Sequence, residues 1–206
     1  MPVPTRSAGH QALLDAASAE FAARGYYATS VRDIAARAGV SLSALYHYYP
    51  GKQALLGALL HEGLDAYFGM CEEALSEAGK DHARQLAAVV GATARYRAER
   101  STASLIIINE ARALPQEALT AYRERERQAT DLFRRVIDDG IAAGVFTTPF
   151  PDDARRMIIA ACNAVAQWYR PDGPVPLEAL IERYVTLSYT LLGYERRTPL
   201  ARRMSE

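Results

Sequence analysis

The sequence predicts an all-α protein built from nine helical segments, and three observations carry that expectation. Apolar residues recur at three- and four-residue spacing along most of the chain. The period-two alternation of a strand is absent, and β-branched residues gather only in short runs. Gly, Pro and cap-forming Ser, Thr and Asp punctuate the apolar stretches where helices would start and stop.

In order, the predicted segments are 8–24, 31–38, 42–48, 51–78, 82–99, 101–113, 115–143, 151–169 and 176–193. The second and third are the most informative. Thr29 or Ser30 caps the second, with Asp33 three residues after Ser30 in capping-box spacing. Ile34, Ala35 and Ala38 turn a small apolar face inward, and Gly39 suits the left-handed residue that ends a helix. Ser41 caps the third segment, where Leu45 and Tyr49 lie one turn apart and share a buried face. Leu42, Ser43, Tyr46 and His47 are left on one outward side. These side chains are short or flat, and they hydrogen-bond or present methyl groups. A helix lying in the major groove of DNA needs that character.

The fourth segment opens at Gly51-Lys52 and leads into the remainder. Leu114-Pro115-Gln116-Glu117 reads as a helix start with Pro in its first turn. Asp138-Asp139-Gly140 and Ala142-Ala143-Gly144 fall where the long seventh segment ends. Pro149 to Asp153 opens the eighth with acids in its first turn, and Pro171-Asp172-Gly173-Pro174 separates it from the ninth. Met157, Ile158, Ala161, Val165 and Trp168 trace one side of the eighth segment; Leu177, Ile181, Tyr184, Leu187 and Leu191 trace one side of the ninth. Residues 1–6 and 195–206 read as disordered ends, the latter basic through Arg196, Arg197, Arg202 and Arg203.

Half of the 206 residues are apolar, so a sizeable core is available, and a formal net charge of zero argues against indiscriminate polyanion binding. Residues 1–60 nevertheless carry five basic side chains (Arg6, Arg24, Arg32, Arg37, Lys52) against three acidic ones (Asp15, Glu20, Asp33). That asymmetry has the sign a DNA-binding head needs. Cys71 and Cys162 are single and far apart, which suits a reduced, cytoplasmic setting. Residues 1–9 are polar with no apolar block after them, so no secretion signal is expected. No stretch approaches the ~18 apolar residues of a membrane span. His10, His47, His61 and His82 lack metal-ligand spacing, and no nucleophile elbow, phosphate loop or dinucleotide fingerprint is present. No catalytic site, metal or cofactor is therefore expected.

The stretch from Gln11 to Leu56 resembles the N-terminal DNA-binding domain of TetR-type (tetracycline-repressor-like) regulators. Phe21, Gly25, Tyr26, Thr29, Ser30, Ile34, Ala35, Ala38, Gly39, Val40, Ser41, Leu45, Tyr46, Tyr49, Lys52 and Leu55 carry the match. Three places depart from the usual pattern. Ser43-Ala44 stands where Gly-Thr is common, Tyr48-Tyr49 where His-Phe is common, and Gly51 where Ser is common. The first bears on which bases are read.

The resemblance implies a three-helix helix-turn-helix DNA-binding domain over 1–50, a larger helical ligand-binding and dimerisation domain over 51–195, and a tail over 196–206. It implies that Ser41, Leu42, Ser43 and His47 face bases or flanking phosphates. Tyr46, Tyr48, Lys52 and the helix start at Thr29, Ser30 and Arg32 would hold the phosphate backbone. It also implies a four-helix homodimer interface from the last two helices, with Ile158, Ala161, Val165, Tyr184, Leu187 and Leu191 as candidates.

Effector residues are less legible. Polar Asn109 and Glu110 follow the apolar run 105–108, so they are exposed, paired with a neighbour such as Arg112, or poised for a ligand. Tyr67, Phe68, Tyr96, Phe133 and Trp168 are candidate wall residues of an apolar pocket. Residues 109–117 and 168–193 more loosely resemble TetR-family repressors of lipid and steroid catabolism, which respond to acyl-CoA-type thioesters. On that resemblance Arg95, Arg97, Arg100 and Arg170 are candidate mouth residues for phosphates. The expected function is a ligand-responsive repressor that binds a palindromic double-stranded DNA operator as a dimer and is released by a small apolar, acyl-CoA-type effector. The alternatives are a constitutive DNA-binding protein without an inducer and, more remotely, a small helical enzyme.

Overall fold

The structure, a computed structural model, describes residues 8–195, apart from the side chains of residues 8 and 107–109. Of the expected disordered ends, residues 1–6 and 196–206 lie outside the described residues. Nine α-helices follow one another among them: α1 (Ala8–Ala28), α2 (Val31–Ala38), α3 (Leu42–Tyr48), α4 (Lys52–Ala78), α5 (His82–Glu99), α6 (Ser101–Glu110), α7 (Gln116–Ala142), α8 (Pro151–Trp168) and α9 (Leu177–Leu191). A 3-10 turn, Ala111–Ala113, follows α6.

Two boundaries differ by more than two residues from the sequence expectation. Helix α1 kinks at Gly25 (φ 78°, ψ 164°) and then makes one further turn, instead of stopping at residue 24. The segment predicted over 101–113 is split. Its end tightens into the 3-10 turn before Leu114, which is extended as the residue preceding a proline tends to be. Pro115 itself caps α7 from just outside the helix.

The first three helices close around Leu13, Leu14, Phe21, Ile34 and Leu45, each almost fully buried. Large apolar side chains of this kind contribute about 1.5–3 kcal/mol each on burial. Helix α4 enters the same cluster with Leu55, Leu56, Leu60 and Leu64, and Ile106, Leu114 and Tyr122 of the body complete it. The head therefore has no core of its own that stops at α3.

Helix α5 is the centre of the body and packs against α4, α7, α8 and α9. Behind α7 the chain folds Phe146 back onto Gly140, where a Cβ would sit 2.2 Å from the phenyl ring. The same loop is tied to the end of α9, with Thr147 N–H donating to the Leu192 carbonyl at 2.9 Å. Among the described residues no helix is long and apolar enough to cross a membrane.

Candidate nucleic-acid interface and effector cavity

The local chemistry of the head follows its sequence closely. Ser30 and Asp33 form a full capping box at the start of α2. The Ser30 bonds hold the Asp33 carboxyl below its ordinary range. Gly39 takes the left-handed conformation (φ 68°) that ends α2. Ser41 Oγ accepts the Ala44 N–H at 3.1 Å and caps α3. Leu45 is fully buried below α3, and Tyr49 Oη meets His10 Nε2 of α1 at 2.7 Å. Buried Glu20 ties α1 to α2 by accepting from Arg37 Nε at 2.7 Å, with Arg24 Nε 3.2 Å from its other oxygen.

These supports leave Ser43, Tyr46, His47 and Tyr48 exposed along α3, with Ser41 at its start and Ser30 and Arg32 exposed at the start of α2. The Tyr48 ring is braced edge-on between His10 (centroids 5.9 Å) and His47 (5.2 Å). The outward row combines hydroxyls, a phenol and an imidazole on a fixed rod, which suits contact with base edges and phosphate oxygens.

Three expected contact residues have other work. Thr29 is 2% exposed, and its hydroxyl donates to the Gly25 carbonyl at 2.8 Å and the Glu20 carbonyl at 3.1 Å, so it closes the α1–α2 turn. Lys52 Nζ donates to the carbonyls of Tyr26 (2.6 Å) and Thr29 (2.7 Å) and lies 4.3 Å from the centre of the Tyr26 ring. Its ammonium clamps the same turn to α4 rather than standing free for phosphate. Leu42 is half-buried against the head core. Conversely, sequence reasoning missed Tyr27, which is 81% exposed on that turn. The signal was the pair Tyr26-Tyr27 itself, of which only the first ring is buried.

Glu110 also proves to be structural. Its Oε1 accepts the Tyr26 N–H at 3.1 Å, across the head–body boundary. Tyr26 is thus held at its N–H by α6 and at its carbonyl by Lys52 of α4.

In the body, a cavity of about 260 Å³ lies among α4, α5, α7 and α8. Leu64, Tyr67, Phe133 and Ile159 supply apolar walls; Thr93, Arg97, Tyr122 and Asn163 supply polar ones. Tyr67 Oη and Thr93 Oγ1 are 3.2 Å apart, and Tyr122 Oη donates to Glu126 at 2.8 Å. Burial pushes the Tyr67 and Tyr122 phenols upward, so both stay protonated donors. A larger groove of about 610 Å³ adjoins it between α4 and α7, sharing Leu64 and Tyr122 as walls.

Of the candidate wall residues, Tyr67 and Phe133 line the cavity. Phe68 borders an outer groove beneath Arg125, whose guanidinium is 4.7 Å from its ring. Tyr96 is 2% exposed and donates to the Gly63 carbonyl at 2.7 Å, as a core residue. Trp168 is 48% exposed on the outer face of α8, and Arg170 is exposed beyond the helix end, so neither reaches the cavity. The side chain of Asn109 lies outside the described residues. Among the candidate mouth arginines, Arg95 is taken by Glu178 (2.6 Å) and Glu99, and Arg100 lies toward α1; only Arg97 lines the cavity. Thr93, Tyr122 and Asn163 were missed. A lone Thr or Asn inside an Ala-rich helix was the available signal.

The chain matches two family models, "Bacterial regulatory proteins, tetR family" over residues 13–59 and "Tetracyclin repressor-like, C-terminal domain" over 79–192. A relative named HTH-type transcriptional repressor KstR2, from Rhodococcus jostii, is 31% identical over 179 residues, 85% of this chain and 86% of that one. The chain belongs to the TetR family. It is a DNA-binding transcriptional regulator, and the relatives it matches are regulators rather than enzymes. Among solved structures, a TetR-family regulatory protein from Rhodococcus RHA1 superposes with a TM-score of 0.85 at 27% identity, covering 93% of this chain and all of that one. The ketosteroid transcriptional regulator KstR2 of Mycobacterium tuberculosis gives a TM-score of 0.80 at 27% identity, covering 95% and 98%.

Within this TetR-family body, α8 and α9 keep an outward apolar face of Met157, Trp168 and Leu187, which are 57%, 48% and 60% exposed, with Ala161 exposed beside them. Tyr184 and Leu191 are half-buried at its edge. Ile158 and Val165, expected on that face, are instead 2% and 0% exposed inside their own protomer. The helical period places them one face round from Met157 and Ala161.

Proposed function

We propose that this protein is a ligand-responsive repressor that binds a palindromic operator as a homodimer and is released when a small, largely apolar effector fills the body. The proposed division is a DNA-binding head over 1–50 and a ligand-binding and dimerisation body over 51–195. The observation that carries the reading is the shared core. Leu64 and Tyr122 belong to the cluster that packs under the head and also wall the effector cavity. An occupant that displaces α4 or α7 at these side chains must shift the packing on which α1–α3 rest. Interiors are close-packed, so the shift is transmitted instead of absorbed.

Tyr26, held by Glu110 from α6 and Lys52 from α4, is the second link in that coupling. A coupling of about 1–3 kcal/mol between effector and operator makes a useful switch. The outward faces of α8 and α9 supply the two-fold contact. Two heads about 34 Å apart then present α3 to successive turns of one face of the duplex. Ser43 and His47 read bases, while Tyr46, Tyr48, Ser30 and Arg32 hold the backbone. The buried free thiols of Cys71 and Cys162 accord with a reduced cytoplasmic setting.

For the effector, the resemblance of residues 109–117 and 168–193 to repressors of lipid and steroid catabolism, together with the apolar groove, supports an acyl-CoA-type thioester, its acyl part between α4 and α7. Gel-shift titration of the operator complex with acyl-CoA thioesters of increasing chain length tests this reading. Release at micromolar thioester is the expected result. An operator complex unmoved by every thioester removes that class.

A further inference from the structure

Among the described residues, Arg97 is the one cation lining the cavity that no carboxylate satisfies. Its Nε donates to Asn163 Oδ1 at 3.1 Å, and its guanidinium lies 5.9 and 5.7 Å from the Tyr67 and Tyr96 ring centres. No acidic side chain among the described residues forms an ion pair with it. Arg127, which also lines the cavity, is committed to Glu124 and Asp131. Glu126, the acid on the cavity wall, is engaged by the Tyr122 hydroxyl.

A guanidinium keeps its charge in proteins and offers five donors, of which Asn163 takes one. Holding such a charge half-buried against a neutral partner is costly unless an anion arrives to pair with it. The amide of Asn163 adds a donor in the same space, whereas the Thr93 hydroxyl is spent on the Val89 carbonyl at 2.7 Å. Leu64, Phe133 and Ile159 make the apolar part of the wall, while Glu126, Arg127 and Thr130 complete its polar part. Of the charged side chains on this wall, Arg127 is already ion-paired and Glu126 accepts from Tyr122, so Arg97 alone has charge-bearing donors left over, which suits one negative charge on an apolar body. The phosphates of a CoA would need several cations and therefore lie outside this chamber.

We propose that Arg97, aimed by Asn163, is the seat for a carboxylate, and that the effector carries this acid on an apolar chain or ring extending past Leu64 and Tyr122 into the adjoining groove. The inference rests on the effector reading above and narrows it: the end of the effector held in the cavity is an acid.

Calorimetric titration of the full-length protein with decanoate and with methyl decanoate tests it, both below their aggregation thresholds. The acid binds about tenfold or more tightly than the ester. Arg97→Met brings the two affinities together, Arg97→Lys keeps part of the preference, and Lys80→Gln, exposed between α4 and α5, leaves it intact. Unliganded operator binding and the melting curve verify that each variant is folded. If Arg97→Met does not fold, Asn163→Ala serves, with an expected several-fold loss for the acid and little change for the ester. Equal binding of acid and ester, no binding of either, or a preference that survives Arg97→Met overturns the proposal. Decanoyl-CoA releasing operator while decanoate does not bind would remove the carboxylate seat and leave the effector-responsive repressor standing. Release by neither would remove both.

Discussion

Replacing Lys52 with Met separates two roles for one side chain. In the structure its ammonium lies 2.6 Å from the Tyr26 carbonyl and 2.7 Å from the Thr29 carbonyl, with a further contact to the Tyr26 ring at 4.3 Å. Methionine preserves the apolar stem and removes every donor. Each charge-assisted bond contributes about 1.5–3 kcal/mol, and a partly buried carbonyl left unsatisfied costs about 1–3 kcal/mol. The ring contact adds about 0.5–1 kcal/mol. Water reaches part of the site, so the low ends apply and the total is about 2–4 kcal/mol. For a chain of this length about 1 kcal/mol moves Tm by ~2–4 °C, so Tm falls by roughly 4–16 °C. Scanning calorimetry at one fixed protein concentration reads this, because the stability of the proposed dimer depends on concentration. Operator affinity measured at several salt concentrations is the second arm. Loss of one phosphate contact flattens the log–log salt slope by ~0.9. An unchanged Tm together with a flattened slope would show that Lys52 serves DNA and not the turn, and the clamp would be refuted.

Gly140→Ala drives a methyl into the Phe146 ring, whose nearest carbon is 2.2 Å from the new atom, and destabilises by about 1–3 kcal/mol in urea unfolding; an unchanged midpoint would mean that the turn repacks freely. Burial pushes the Cys162 thiol up to about 12 from 9.0, so its protonated form is favoured in the folded state. The stability this supplies is present below pH 9.0 and is lost as pH rises toward about 12, which pH-dependent unfolding detects; rapid reaction of native protein with a thiol reagent at about pH 8 would contradict the burial. Leu187→Glu charges a side chain that is 60% exposed on the outer face of α9, and gel filtration is expected to show monomer with operator affinity lost; a stable dimer would reassign the interface. Tyr46→Phe is expected to weaken all operators alike while Ser43→Ala changes base preference at one position, as gel shifts on a panel of single-base operator variants would show; no effect from either moves the contact face away from α3.

How legible the site was depended on the distance over which each residue's role is set. The capping box at Ser30 and Asp33, the left-handed Gly39 and the Ser41 cap each act within a few residues, and all could be read from spacing. Glu110 could not. Its partner, the Tyr26 N–H, lies 84 residues away, and after the apolar run 105–108 a carboxylate pointing into solvent looks the same on paper. Arg97 was picked out only as one of four arginines. Its isolation from carboxylates depends on which acids the fold places elsewhere.

The sequence by itself determined the nine helices among the described residues, the caps of α2 and α3 and the outward row on α3, because helix periodicity and capping are local rules that a short window obeys. Tertiary structure alone decided that Lys52 and Thr29 close a turn, that Ile158 and Val165 face inward, and that Trp168 stands outside while Arg97 stands at the cavity. The physical reason is that burial and hydrogen-bond partnership belong to pairs of segments. Which of several chemically equivalent side chains meets solvent, core or ligand is fixed only when helices distant in the chain pack together.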